Sequence, residues 1–143
     1  MTEWLYQDIT GGILHASRLL CSRLGERRQG MTESQISNAL QQTLQELGYQ
    51  VEAEVVIPCA YEGRRVGVHR VDLVVEGVVV VELKTTQQLT SRDYAQLRAY
   101  LIDGGWAVGL LLNFGGDDFE SKRLYEARND PAVKEANRVL RSC

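Results

Sequence analysis

Residues 71–84, VDLVVEGVVVVELK, set three charged side chains, Asp72, Glu82 and Lys84, among two runs of Val and Leu. Such runs belong in a sheet interior, where a carboxylate or an amine is costly unless it is paired or bound. Side chains on a strand alternate faces, so Glu82 and Lys84 share one. The face of Asp72 depends on the turn between the runs. A two-residue loop, Glu76-Gly77, pairs Val75 with Val78 and leaves Asp72 opposite Val81, on the other face from Glu82. A three-residue loop, Val75-Glu76-Gly77, pairs Val74 with Val78. Asp72 then lies opposite Val80 and diagonal to Glu82, on one face. A three-residue loop commonly ends on a left-handed Gly that forms a bulge, and Gly77 stands in that place. An odd-length loop is therefore expected, with Arg70, Asp72, Glu82 and Lys84 on one face. Diagonal neighbours have Cα atoms about 7–8 Å apart, so both carboxylates can reach one ion.

Two carboxylates converging at a strand end make a hard oxygen site suited to Mg²⁺ or Mn²⁺. Such an ion polarises a phosphate and acidifies a bound water. A lysine beside it orients that water and offsets the charge that develops. Asp, Glu and Lys together thus suit metal-assisted hydrolysis of a phosphodiester. The competing reading is a solvated strand face or an ordinary ion pair, since charges are mostly exposed.

These residues need a scaffold. Apolar Trp4, Ile9, Ile13, Leu14, Leu20 and Leu24 predict a helix over 3–24, interrupted in propensity by Gly11-Gly12. GERRQG, 25–30, reads as a loop. Thr32 caps a second helix whose stripe is Ile36, Leu40, Leu44 and Leu47, ended by Gly48. Strands follow at 51–58, stopped by Pro58, at 65–75 after a Glu62-Gly63 turn, and at 78–84. The unbroken Val run of the third implies burial on both faces. A helix over 91–103 and a strand over 106–115 complete the pattern, and 117–143 is expected to form one or two surface helices. Three strands able to meander, then a helix and a returning strand, give a mixed α/β sheet flanked by helices.

The chain of 143 residues suits one domain with a proper core. It has no run of about 18 apolar residues, so no membrane span is expected, and its start lacks the pattern of a secretory signal. Cys21, Cys59 and Cys143 are odd in number and far apart, which argues against a disulfide framework and for reduced thiols in the cytoplasm. A net charge of −3 is the wrong sign for coating nucleic acid by bulk attraction. It leaves room for a local basic group, and Arg64, Arg65, Arg70, Arg92 and Arg98 are candidates to grip phosphates or to serve as solubilising surface.

Asp72, nine intervening residues, then Glu82-Leu83-Lys84 resembles the signature of the PD-(D/E)XK nuclease superfamily, and the element order is similar to its restriction-endonuclease-like core. More narrowly, the chain resembles the small GxxExxxR family. Gly30-Met31-Thr32-Glu33 matches the Gly-x-x-Glu, and Arg70-Val71-Asp72-Leu73 and Val81-Glu82-Leu83-Lys84 match the core strands. Gln96 with Tyr100-Leu101 matches the following helix, and Leu112-Asn113-Phe114-Gly115 the last core strand. Ser37 stands where the motif has its final Arg, and Val71 replaces the signature Pro. The resemblance implies a single nuclease-like domain over 1–143, with its core at about 9–123 and a tail at 124–143. It implies Asp72, Glu82 and the Leu83 carbonyl as metal ligands, Lys84 as the residue that orients water, Glu33 as a further acid near the metal, and Gln96 on the phosphate or the water network. By spacing, Arg92, Gln96 and Tyr100 share one helix face, away from Leu97 and Leu101, and are candidates to meet substrate. Glu33 also suits the first turn of any helix simply as an acid.

The expected function is Mg²⁺-dependent cleavage of nucleic acid, with DNA as the first candidate and a homodimer suited to cutting two strands. The alternatives are a silent nuclease-fold module that binds nucleic acid or a protein, and an assembly protein whose charges only face water.

Overall fold

A computed structural model of the protein describes residues 4–142. Helix α1, Gln7–Leu24, turns Ile13, Ala16, Leu20 and Leu24 inward at helical spacing. Gly12 lets it approach closely: a Cβ there would fall 1.8 Å from the Tyr49 hydroxyl. The glycine that lowers helix propensity is thus a packing device. GERRQG winds into a 3₁₀ helix, Gly25–Gly30, rather than an irregular loop. Helix α2, Glu33–Glu46, begins in a capping box in which the Thr32 side chain accepts from the Gln35 N–H and the Gln35 side chain accepts from the Thr32 N–H.

The five strands are β1 Val51–Tyr61, β2 Arg64–Val75, β3 Val79–Lys84, β4 Val108–Asn113 and β5 Glu120–Tyr125, and they lie side by side in chain order. β3 and β4 are parallel and all other neighbours antiparallel. Helix α3, Ser91–Gly104, connects β3 to β4. It starts in a second capping box, Thr90 with Asp93, and stops at left-handed Gly105. β3 and β4 are buried almost throughout, as the Val and Leu runs require. One core packs α1 and α2 against Leu73, Val75, Val79, Val81 and Leu83, and the other packs α3 against Val71, Val74, Val80 and Leu111. The result is a mixed sheet between two helical layers.

Three boundaries differ from expectation. β1 runs through Pro58 to Tyr61, because it is an edge strand, where a missing N–H removes no bond the sheet needs. The β2–β3 loop has three residues, as expected, but they are Glu76, Gly77 and Val78: Val75 faces Val79, not Val74 facing Val78. Glu76 and Gly77 both take positive φ, 54° and 70°, and the Val78 N–H donates to the Val75 carbonyl. Finally, the segment after 117 holds the strand β5 before its helix, α4, Pro131–Ser142. ESKRLY offers a single buried apolar anchor, Leu124, so its strand is made by backbone pairing with β4 rather than by pattern. Among the described residues no helix is long and apolar enough to cross a membrane.

Candidate active site

Asp72 sits at an irregularity in the sheet. β1 and β2 pair on either side of it, but the pairing skips Glu54 and Asp72. Leu73 and Val75 face the α1–α2 core, whereas Val71 faces the α3 core, so the ribbon turns over at this point. Glu54 takes a φ of 53°, a conformation few non-glycine residues adopt. The β2–β3 ladder ends nearby at Leu73–Val81, and one further step of the same register sets Asp72 directly opposite Glu82. In place of a ladder bond, the Leu83 N–H donates to Asp72 Oδ2 at 2.8 Å, and the Asp72 N–H approaches Glu82 Oε1 at 3.4 Å. The Lys84 carbonyl accepts from the Phe114 N–H on the β4 side. Alternation along the strand therefore turns the Leu83 carbonyl toward β2 and Asp72.

Glu82 is only 5% exposed. Burial, then the facing charge and hydrogen bond of Asp72, push its pKa up to about 9, against the pull of Lys84. Lys84 Nζ lies 3.9 Å from Glu82 and 3.7 Å from Asp93, and it donates to Gln96 Oε1 at 2.7 Å. Tyr100 is 6% exposed and lies close enough to Glu82 to feel its charge. Burial, Glu82 and Asp72 together push its hydroxyl up to about 12. Glu33 lies near enough to feel Asp72, Lys84 and Asp93, and its pKa is raised, first by burial and then by Asp72. A cavity of about 390 Å³ joins Glu33, Ser37, Glu54 and Asp72. On the α3 side, a groove of about 530 Å³ is lined by Arg70, Arg92, Gln96 and Tyr100, among others.

The structure thus gathers Glu33, Asp72, Glu82, Lys84 and Gln96, with Tyr100 directly behind Glu82 and Arg70 and Arg92 at the rim. Arg64 and Arg65 lie away at the tip of the β1–β2 arm, and Arg98 is 3.6 Å from Glu126, as in a structural ion pair. Two acids of the site were not singled out from the sequence. Asp93 closes the capping box of α3, a role that hides any other, and Glu54 gives no signal before the ribbon is seen to turn over. Carboxylates crowded round one ammonium, with Glu82 pushed toward its protonated form by burial and then by Asp72, form a donor set short of positive charge. Hard oxygens in this arrangement fit a divalent cation such as Mg²⁺.

A mixed sheet between helical layers, with an Asp near the end of its second strand and a Glu-x-Lys closing its third, defines a nuclease fold class. The chain belongs to the PD-(D/E)XK nuclease superfamily, whose family model matches residues 7–124. No curated protein gives a significant match. Among solved structures, the crystal structure of SSO0001 is similar in fold, with a TM-score of 0.51 and 20% sequence identity. The match covers 75% of this chain and 56% of that one, so this chain spans little more than half the length of that protein.

Proposed function

We propose that this protein hydrolyses phosphodiester bonds in DNA with Mg²⁺, or Mn²⁺ in its place, held by Asp72, Glu82 and the Leu83 carbonyl, and with Glu33 close by. The observation that carries the reading is the facing of Asp72 and Glu82 beyond the last ladder pair, with Lys84 clamped alongside. The bound ion would supply polarisation of the phosphate and an acidified water. Lys84, fixed by Gln96 and Asp93, presents its ammonium where the attacking water and the developing negative charge must sit. Arg70 and Arg92, exposed beside the groove, hold flanking phosphates. Tyr100 buttresses Glu82 from behind. Within the superfamily, Gly30-Met31-Thr32-Glu33 supports a reading as the GxxExxxR type, with Ser37 in place of the Arg.

The test is a panel of single-stranded, duplex and branched DNA, and RNA, with Mg²⁺, Mn²⁺ or EDTA. DNA cleavage is expected with either metal and none with EDTA. Glu82→Ala abolishes it, and Lys84→Ala lowers it about 10²–10³-fold while the circular dichroism spectrum stays unchanged. Cleavage that survives both substitutions would falsify the reading. Absence of cutting by every form, with Mg²⁺ still bound at Asp72 and Glu82, would favour the silent binding module, which the replacement of the motif Arg by Ser37 also suits.

A further inference from the structure

We propose that Cys59, His69 and Asp103 form a second, chemically different metal site, one that takes Zn²⁺ and leaves one coordination position to water. The three come from β1, β2 and the last turn of α3, and their donor atoms all lie within 4.8 Å of one another. His69 Nε2 is 2.7 Å from Asp103 Oδ2, and the Cys59 sulfur lies within 4.8 Å of both. Zn²⁺ binds S at about 2.3 Å and N or O at about 2.0–2.2 Å, so its tetrahedral ligands stand roughly 3–4 Å from each other. The ion therefore enters by small side-chain rotations, without backbone movement.

The backbone aims the donors. Ile57 and Val71 face the α3 core, and strand alternation puts Cys59 and His69 on that same side. His69 pairs with Ile57, which makes Cys59 its diagonal neighbour. Gly67, opposite Cys59, leaves open space beside the sulfur. The His69 ring is steadied against Tyr100, with centroids 4.9 Å apart. Asp103 lies at the carbonyl end of α3, where the helix dipole favours a cation. One sulfur, one imidazole nitrogen and one carboxylate oxygen form a borderline-soft set, unlike the all-oxygen set at Asp72 and Glu82. Binding releases the Cys59 thiol proton to solvent and clamps the β1–β2 arm to α3. The opposing reading is a plain His–Asp hydrogen bond with a bystander thiol.

The experiment titrates the reduced, chelator-stripped full chain with Co²⁺ and then Zn²⁺, without nucleic acid, so it stands apart from the nuclease reading. One Co²⁺ per chain should give a thiolate-to-cobalt charge-transfer band and intense tetrahedral d–d bands, both erased by Zn²⁺. Cys59→Ser should abolish the charge-transfer band and weaken Zn²⁺ binding on the order of 100-fold or more, beyond the usual loss of an outer-shell partner. Cys21→Ser, Cys143→Ser and Asp72→Asn should retain both. Circular dichroism of the metal-free variants confirms folding. A missing thiolate band, or one that survives Cys59→Ser or disappears with either other cysteine, overturns the proposal.

Discussion

Glu82 is the residue on which stability and chemistry pull in opposite directions. An isolated carboxyl ionises near 4.5, whereas this one is pushed up to about 9 by burial and by Asp72. Between those values the folded state keeps a proton that the unfolded state has released. Stability must then be greatest below the lower value, fall as pH rises, and level off above the upper one. The metal-free protein is accordingly expected to melt at a lower temperature at pH 8.5 than at pH 5.5. Glu82→Gln, which has no charge to bury, should raise the high-pH melting temperature and remove most of the slope contributed here. Mg²⁺ needs the ionised form, so its stabilisation of the wild type should grow with pH and be lost in the variant. Differential scanning calorimetry across pH, with and without Mg²⁺, checks all three. An unchanged slope in Glu82→Gln would mean that the facing carboxyls are not the strained pair described here.

At the scale of elements, the site depends on how β3 and β4 end. The loop after β4 passes so close to the continuation of β3 that a Cβ on Gly115 would fall 2.3 Å from the Thr85 carbonyl carbon and 2.5 Å from the Thr86 nitrogen. Backbone cannot yield as a side-chain tip does. Asn113 ties the same two segments: its side chain accepts from the Thr86 and Gly115 N–H groups and donates to the Thr86 carbonyl. Gly115→Ala should cost about 1–3 kcal/mol and, by moving the segment that follows Lys84, reduce cleavage as well. Gly11→Ala is the control: nothing lies within 4 Å of a Cβ there, and an exposed helical glycine replaced by alanine should gain up to ~1 kcal/mol. Urea denaturation of both variants separates a loss specific to position 115 from a general intolerance of substitution. The sequence already showed much of this framework, because the Val run, the Thr cap at 32 and the odd loop length signalled by Gly77 each answer to a local rule. Glu54 and Asp93 lay beyond such rules. The first matters through a φ that only the turning ribbon imposes, and the second through a lysine whose distance from it is set by the β3–α3 connection. Glu33 likewise came from resemblance, since no spacing rule places the start of α2 beside Asp72.

For the whole molecule, the question is which parts the sheet cannot lose. β5 was hidden in the sequence because half of its residues are charged, yet it covers the edge of β4, a strand buried along its full length. Leu124 packs into the α3-side core, and Arg123 donates to the Leu5 carbonyl at 2.7 Å, linking the far end of the chain to its beginning. α4 buries no residue, whereas Asp130, just before it, is buried and accepts from the Tyr125 hydroxyl at 2.6 Å. A chain ended after residue 130 should therefore stay monodisperse and keep a melting temperature close to that of the whole protein. A chain ended after residue 117 exposes an apolar strand with an unpaired edge, the usual template for aggregation, and should be recovered mainly as aggregate. Size-exclusion chromatography with thermal melts distinguishes the two. If the longer truncation aggregated as well, α4 would be covering apolar surface in solution that the described contacts leave open. If the shorter chain stayed soluble and folded, β5 would be an ornament on a sheet already complete with four strands.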